Sequence, residues 1–80
     1  MKIELIAFGI ARDIVGTGKL VMNIKDSGTV RDVRLELLAT FKDFEKLASL
    51  KLAVNADYVE DDFQLSPNDE VVIIPPVSGG

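Results

Sequence analysis

Two segments, one near each end of the chain, are apolar on both of their faces. In Lys2-Ile3-Glu4-Leu5-Ile6-Ala7-Phe8, strand alternation puts Ile3, Leu5 and Ala7 on one side, yet Ile6 and Phe8 lie on the other. The run Val71-Val72-Ile73-Ile74 has no polar position at all. A strand that is apolar on both sides needs cover on both sides, which the middle of a sheet supplies and an edge does not. Each is therefore expected to be central in its sheet or covered by something outside the chain. What lies between them must supply the flanking strands and a helix for one face.

The helix is the most regular pattern in the chain. Val30, Val33, Leu37, Leu38 and Phe41 fall at i, i+3, i+7, i+8 and i+11, a single apolar stripe, with Arg31, Asp32, Arg34 and Glu36 on the solvent side. Thr29 stands where an N-cap is needed, and Asp32 three residues on can act as the acid of a short capping box. Before the helix, Gly9 to Val15 reads as one or two helical turns, because Ile10, Ala11, Ile14 and Val15 have helical spacing. Gly16-Thr17-Gly18 reads as a tight hairpin turn into a second strand, Lys19 to Ile24. After it, Lys42 to Leu50 reads as an irregular or short helical connection whose Phe44 and Leu47 extend the core. Lys51 to Asn55 is a third strand, turning through Asn55-Ala56-Asp57 into a short Tyr58-Val59 pairing. Phe63 and Leu65 then return to the core, Ser66-Pro67-Asn68-Asp69 is a turn with proline at its second position, and Glu70 to Ile74 is the last strand. The order is β-β-α-β-β-β, an α+β domain over residues 1–74.

Composition narrows the chemistry. The 80 residues include no Cys and no His, which excludes disulfides, thiol nucleophiles, imidazole bases and ordinary zinc centres, so no metal ligand set is expected. A net charge of −4 argues against a nucleic-acid partner. No apolar run approaches the roughly 20 residues that span a bilayer, so no membrane partner and a cytoplasmic location are expected. All nine basic residues lie at or before Lys51, together with seven acids, while the remainder holds six acids and no base. That acidic half is either a solvated face or a surface that meets a basic partner. Glu60-Asp61-Asp62 lacks the alternate spacing and glycine of a calcium loop, and Gly16-Thr17-Gly18 lacks the Lys-Ser/Thr of a phosphate loop.

The last six residues, Pro75-Pro76-Val77-Ser78-Gly79-Gly80, read as an extended tail, residues 75–80. Two prolines fix φ and remove two backbone donors, so the last strand must leave its ladder there and continue extended. The final glycines carry no Cβ and can enter a slot too narrow for a side chain. Glycines alone describe a frayed end; a rigid exit directly after a hydrophobic strand describes an arm that presents the Gly80 carboxylate for reaction.

A long strand at each end, a hairpin first and one main helix crossing a mixed sheet of about five strands match the β-grasp, or ubiquitin-like, arrangement. With the motifs Phe8-Gly9-Ile10-Ala11-Arg12-Asp13-Ile14-Val15-Gly16-Thr17, Ala53-Val54-Asn55, Asn68-Asp69-Glu70-Val71 and the terminal Pro75 to Gly80, the chain resembles, over its whole length, the ubiquitin-like sulfur carriers and specifically the small subunits of molybdopterin synthase. The Val-Asn turn is shared with the thiamin-pathway carriers. Asn68 departs from the glycine common at that place, but asparagine tolerates the left-handed conformation. The resemblance implies a carrier and not an enzyme, with no bound cofactor. An adenylating, ubiquitin-activator-like sulfurtransferase would use ATP to activate Gly80, which then becomes a thiocarboxylate. Inserted into the large synthase subunit, Pro75, Pro76, Val77, Ser78, Gly79 and Gly80 would deliver sulfur to a pterin precursor, giving molybdopterin. A thiamin-type carrier, or a modifier joined to lysine through Gly80, remains the alternative.

Alternation also places Phe8 and Ile74 on the sheet face away from the helix, where the short strand adds Tyr58. These three are expected to form one apolar patch with Arg12 as its charged rim, a surface for a partner.

Overall fold

The computed structural model describes residues 1–47 and 50–75. Its elements are β1 (Lys2–Ala7), α1 (Gly9–Val15), β2 (Lys19–Asn23), α2 (Val30–Thr40), a 3₁₀ turn over Lys42–Lys46, β3 (Lys51–Val54), β4 (Asp57–Tyr58) and β5 (Glu70–Ile74). The five strands form one sheet in the order β2-β1-β5-β3-β4. The two strands that are apolar on both faces pair in parallel at its centre, with Leu5 opposite Val71 and Ala7 opposite Ile73. β2 flanks β1 antiparallel, and β3 flanks β5 antiparallel. The one parallel pair, β1 and β5, is joined through a long connection that includes α2, as parallel neighbours require.

One face of the sheet carries the core. Ile3, Leu5, Val71 and Ile73 are fully buried against Val30, Val33 and Leu37 of α2, and Phe44 of the 3₁₀ turn closes one end. Leu38, Phe41 and Leu47 pack half-buried at the margin, so the helical stripe and the connection both lie where their spacing places them. Phe41 and Phe44 meet edge to face with centroids 6.1 Å apart. At the start of α2 the Asp32 carboxylate accepts a 2.8 Å hydrogen bond from the Thr29 amide, the acid half of a capping box.

Several local expectations are corrected. Gly16-Thr17-Gly18 is not a tight hairpin: Gly16, at φ 85°, is the left-handed C-cap of α1, and its N–H donates to the Arg12 carbonyl at 2.8 Å. The first strand stops at Ala7, and Phe8 keeps an extended backbone as the residue before α1. Of the apolar residues in α1, Ala11 is buried, whereas Ile10 is 49% exposed. The short fourth strand is Asp57–Tyr58 and not Tyr58-Val59. Phe63 does not enter the core; only Leu65 does, and Phe63 contributes its carbonyl, which accepts from the Val30 amide at the start of α2.

Arg34 does not point into solvent either. It is half-buried and donates to the Leu50 carbonyl and, through Nε at 3.2 Å and Nη2 at 3.0 Å, to Asp61. The carbonyl of Asp61 in turn accepts from the Arg31 amide at 2.9 Å. The acidic run Glu60-Asp61-Asp62 is thereby fastened over the first turn of α2, where unpaired amides and the helix dipole favour negative charge. Among the described residues no helix is long and apolar enough to cross a membrane.

Candidate functional site

The sequence directs attention to the end of β5, because the tail departs from it. The strand reaches this point from a turn that is held firmly. Asn68 has φ 70° and the Asp69 amide donates back to the Ser66 carbonyl at 3.1 Å, so Ser66-Pro67-Asn68-Asp69 is a β-turn with its third residue left-handed. The Asp69 carboxylate accepts from the Ser66 amide at 2.8 Å and from the Asn55 side-chain amide at 3.1 Å, while the Asn55 side-chain oxygen accepts from the Glu70 amide at 3.2 Å. The Asn68 amide and the Asp69 carbonyl bond to β1 at Lys2 and Glu4. β5 thus enters the centre of the sheet clamped on both sides, and its far end, Ile74 and half-buried Pro75, emerges between β1 and β3.

Register defines the surface around that exit. Ile6 is opposite Val72, Val72 opposite Ala53, and Ala53 opposite Tyr58, so these four share the face turned away from α2. One row further along, Ile74 is opposite Lys51, and the extended backbone of Phe8 carries it into the same row beyond Ala7. Phe8 is 51% exposed and Tyr58 71%, whereas Ile6, Val72 and Ile74 are half-covered. Lys51 holds its ammonium 5.9 Å from the Tyr58 ring centroid, a cation–π contact at the border of the patch. A Lys19–Glu4 ion pair at 3.5 Å borders it on the opposite side.

Phe8, Tyr58 and Ile74 therefore occupy one face, joined through Ile6, Val72 and Ala53, of which Ile6 and Val72 are assigned to that face by alternation alone. Ala53 becomes visible as part of it only when the strand register is known. Arg12 is not close to Tyr58. It sits in α1 beyond Phe8, with its Nε 3.9 Å from where a Cβ on Gly18 would stand, on the β2 flank of the patch. The tail residues Pro76, Val77, Ser78, Gly79 and Gly80 lie outside the described residues. Among the described residues no cluster of acidic side chains is arranged to hold a metal ion.

An uncharged band of this kind, bordered by charged pairs and surrounding the exit of a strand, suits docking of another protein and offers no acid, base or nucleophile arrangement of its own. The family model described as "ThiS family" matches residues 5–80. A protein named molybdopterin synthase sulfur carrier subunit from Arabidopsis thaliana is 32% identical over 81 residues, covering 100% of this chain and 84% of its own. Among solved structures, a putative molybdopterin converting factor, subunit 1, from Pyrococcus furiosus superposes with a TM-score of 0.88 at 26% identity, over 96% of this chain and 99% of that one. SAMP1 from Haloferax volcanii shares the fold, with a TM-score of 0.85 at 19% identity over 100% of both chains. So does a chain from a complex of subunits 1 and 2 of molybdopterin-converting factor from Helicobacter pylori, at 0.70 and 21% over 100% of both chains.

Proposed function

The chain belongs to the ThiS family, and from that membership we propose that it is the sulfur-carrier subunit of a molybdopterin synthase, with Gly80 as the residue that carries sulfur. The observation that carries the reading is the full-length likeness to a protein named as such a subunit, continuous through the last glycine of the matched region.

The proposed chemistry belongs to partners acting on the tail. The Gly80 carboxylate attacks the α-phosphorus of ATP within an adenylating enzyme, forming an acyl-adenylate and releasing pyrophosphate. A sulfide-level nucleophile, HS⁻, supplied there attacks the acyl carbon, AMP leaves with the C–O bonding pair, the S–H proton is lost, and a thiocarboxylate remains. In the synthase the thiocarboxylate sulfur attacks an electrophilic carbon of a pterin precursor, an oxygen substituent of that carbon leaves with its bonding pair, and water then cleaves the acyl C–S bond of the resulting thioester, which returns the carboxylate and leaves sulfur on the pterin. Two rounds supply the two sulfurs of a dithiolene. This chain contributes a backbone narrow enough at Gly79 and Gly80 to be enclosed, a stiff exit at Pro75-Pro76, and the patch around Phe8, Tyr58 and Ile74 by which both partners would hold it. The large synthase subunit is the proposed docking partner, in keeping with the two-subunit complex formed by the Helicobacter pylori relative.

Intact mass after incubation with a candidate activating enzyme, ATP and a sulfur donor tests this reading. Exchange of one oxygen for sulfur at the tail is the expected result. A lysine-linked adduct would instead make the chain a protein modifier, and an unchanged mass with every competent activator would remove the carrier role.

A further inference from the structure

β5 is the third of five strands, so two strands flank it on each side. Register gives the face turned away from α2 a matched layout about that midline. One row across the sheet reads Lys19, Ile6, Val72, Ala53, Tyr58, and the next reads Phe8, Ile74, Lys51. Val72 and Ile74 lie on the midline itself. Ile6 and Ala53 stand one strand to either side of it, as do Phe8 and Lys51 in the next row, while Lys19 and Tyr58 stand two strands out. Each lysine therefore mirrors an aromatic ring.

Phe8, Val21 and Tyr58 are exposed on this face, and Ile6, Val72 and Ile74 are half-covered. Its charges balance locally. Lys2, Lys19 and Lys51 stand on it against Glu4 and Glu70, whereas four acids, Asp57, Glu60, Asp61 and Asp62, are gathered at and beyond the β4 edge. The net charge of −4 is thus not carried by the face that would have to be covered.

From this layout we infer that the outward face pairs with the same face of a second copy of the chain, about a two-fold axis running along β5. Such an axis lays β1 over the other copy's β3 and β2 over its β4. Val72 and Ile74 then meet their own counterparts, Ile6 meets Ala53, Lys51 meets the Phe8 ring and Lys19 the Tyr58 ring. An axis across the strands fits less well, because it sets Phe8 against Glu4 and Ile74 against Glu70. Five strands about 4.8 Å apart make a face about 20 Å wide, and its two apolar rows bury less than the ~1,600 Å² of a standard interface, so the pair is weak. Glu70, next along the midline, comes near its own counterpart and opposes the pairing. The pairing itself does not rest on the sulfur-carrier reading. Its consequence does: the pair is a resting form, because it covers the face on which the large subunit is proposed to dock.

Sedimentation equilibrium of the full chain from about 10 μM to about 1 mM tests the pairing, and the average mass is expected to rise toward twice that of the monomer. Added salt should strengthen association by screening like net charges, and Glu70→Gln should strengthen it too. Phe8→Ser with Tyr58→Ser should abolish it while circular dichroism stays unchanged, since both side chains are exposed. The chain has no cysteine, so Ile74→Cys offers a single thiol on the axis, which a short bismaleimide should link into dimers. Thr40→Cys, exposed at the end of α2, should stay unlinked. A monomer at every concentration, association undiminished in the double variant, or equal linking at both thiols would each overturn the proposal. So would association that weakens with salt or with Glu70→Gln.

Discussion

The Asn55 side-chain amide donates to the Asp69 carboxylate at 3.1 Å, and the same side chain accepts from the neighbouring Glu70 amide at 3.2 Å, so one residue of the β3–β4 turn ties down the beginning of β5. Asn55 also holds φ 49°, which asparagine tolerates better than most residues. Asn55→Ala loses both bonds and the conformational tolerance, and a loss of about 1–2 kcal/mol in urea unfolding is expected. Asn55→Asp keeps an acceptor for Glu70 but sets a second carboxylate against Asp69, so it should be at least as costly at neutral pH.

The neighbouring residue is placed less well. Ala56 has φ 76°, and Asn55 and Ala56 form the two-residue loop between paired Val54 and Asp57, as in turns with two left-handed residues. Glycine meets no Cβ penalty there. Ala56→Gly is expected to raise stability by about 0.5–1 kcal/mol, after its greater freedom in the unfolded chain is counted.

Gly28 is held by packing. A Cβ on it would stand 2.5 Å from Ile24 Cδ1 and 2.9 Å from the Lys25 carbonyl oxygen, and its own carbonyl accepts from the Leu65 amide at 2.9 Å. The isoleucine methyl can rotate aside, but the backbone oxygen cannot. Gly28→Ala should cost about 1–3 kcal/mol, read as a lowered denaturation midpoint with an unchanged slope.

The outer patch separates binding from folding. Tyr58 is 71% exposed and Ile74 half-exposed, so Tyr58→Ser with Ile74→Ser should leave the monomer folded. Affinity for the large synthase subunit should fall by at least about 2 kcal/mol, as for aromatic anchors at other interfaces. Retained affinity in a folded double variant would move the interface elsewhere.

Much of the fold was legible because its signals are local or periodic. The two doubly apolar strands fixed the centre of the sheet, and the spacing from Val30 to Phe41 fixed the helix. What sequence reading missed depends on long-range pairing. Arg34 carries the charge of a solvent residue and is recruited by Asp61 and the Leu50 carbonyl, 27 and 16 positions away. Phe63 has the hydrophobicity of a core residue, yet what the fold uses is its backbone carbonyl, at the start of α2. The candidate site divides in the same manner: Phe8, Val72 and Ile74 follow from alternation and Tyr58 from the short strand, whereas Ala53 joins them only through register, and Arg12 lies on the β2 flank because α1 follows Phe8.

The central claim is that the carboxylate of Gly80 carries the sulfur, and the most direct measurement is thiocarboxylate formation, by intact mass, in three chains: the unaltered one, one lacking Gly80, and one extended by a single alanine. One residue of extended chain displaces the carboxylate by about 3.3 Å, whereas reactive groups must be placed within about 0.5 Å. Among the described residues the buried cluster ends at Ile73, and all three chains are expected to unfold at the same midpoint. Only the unaltered chain is expected to exchange oxygen for sulfur. Exchange of comparable extent in either altered chain would contradict the claim that Gly80 is the sulfur-carrying residue.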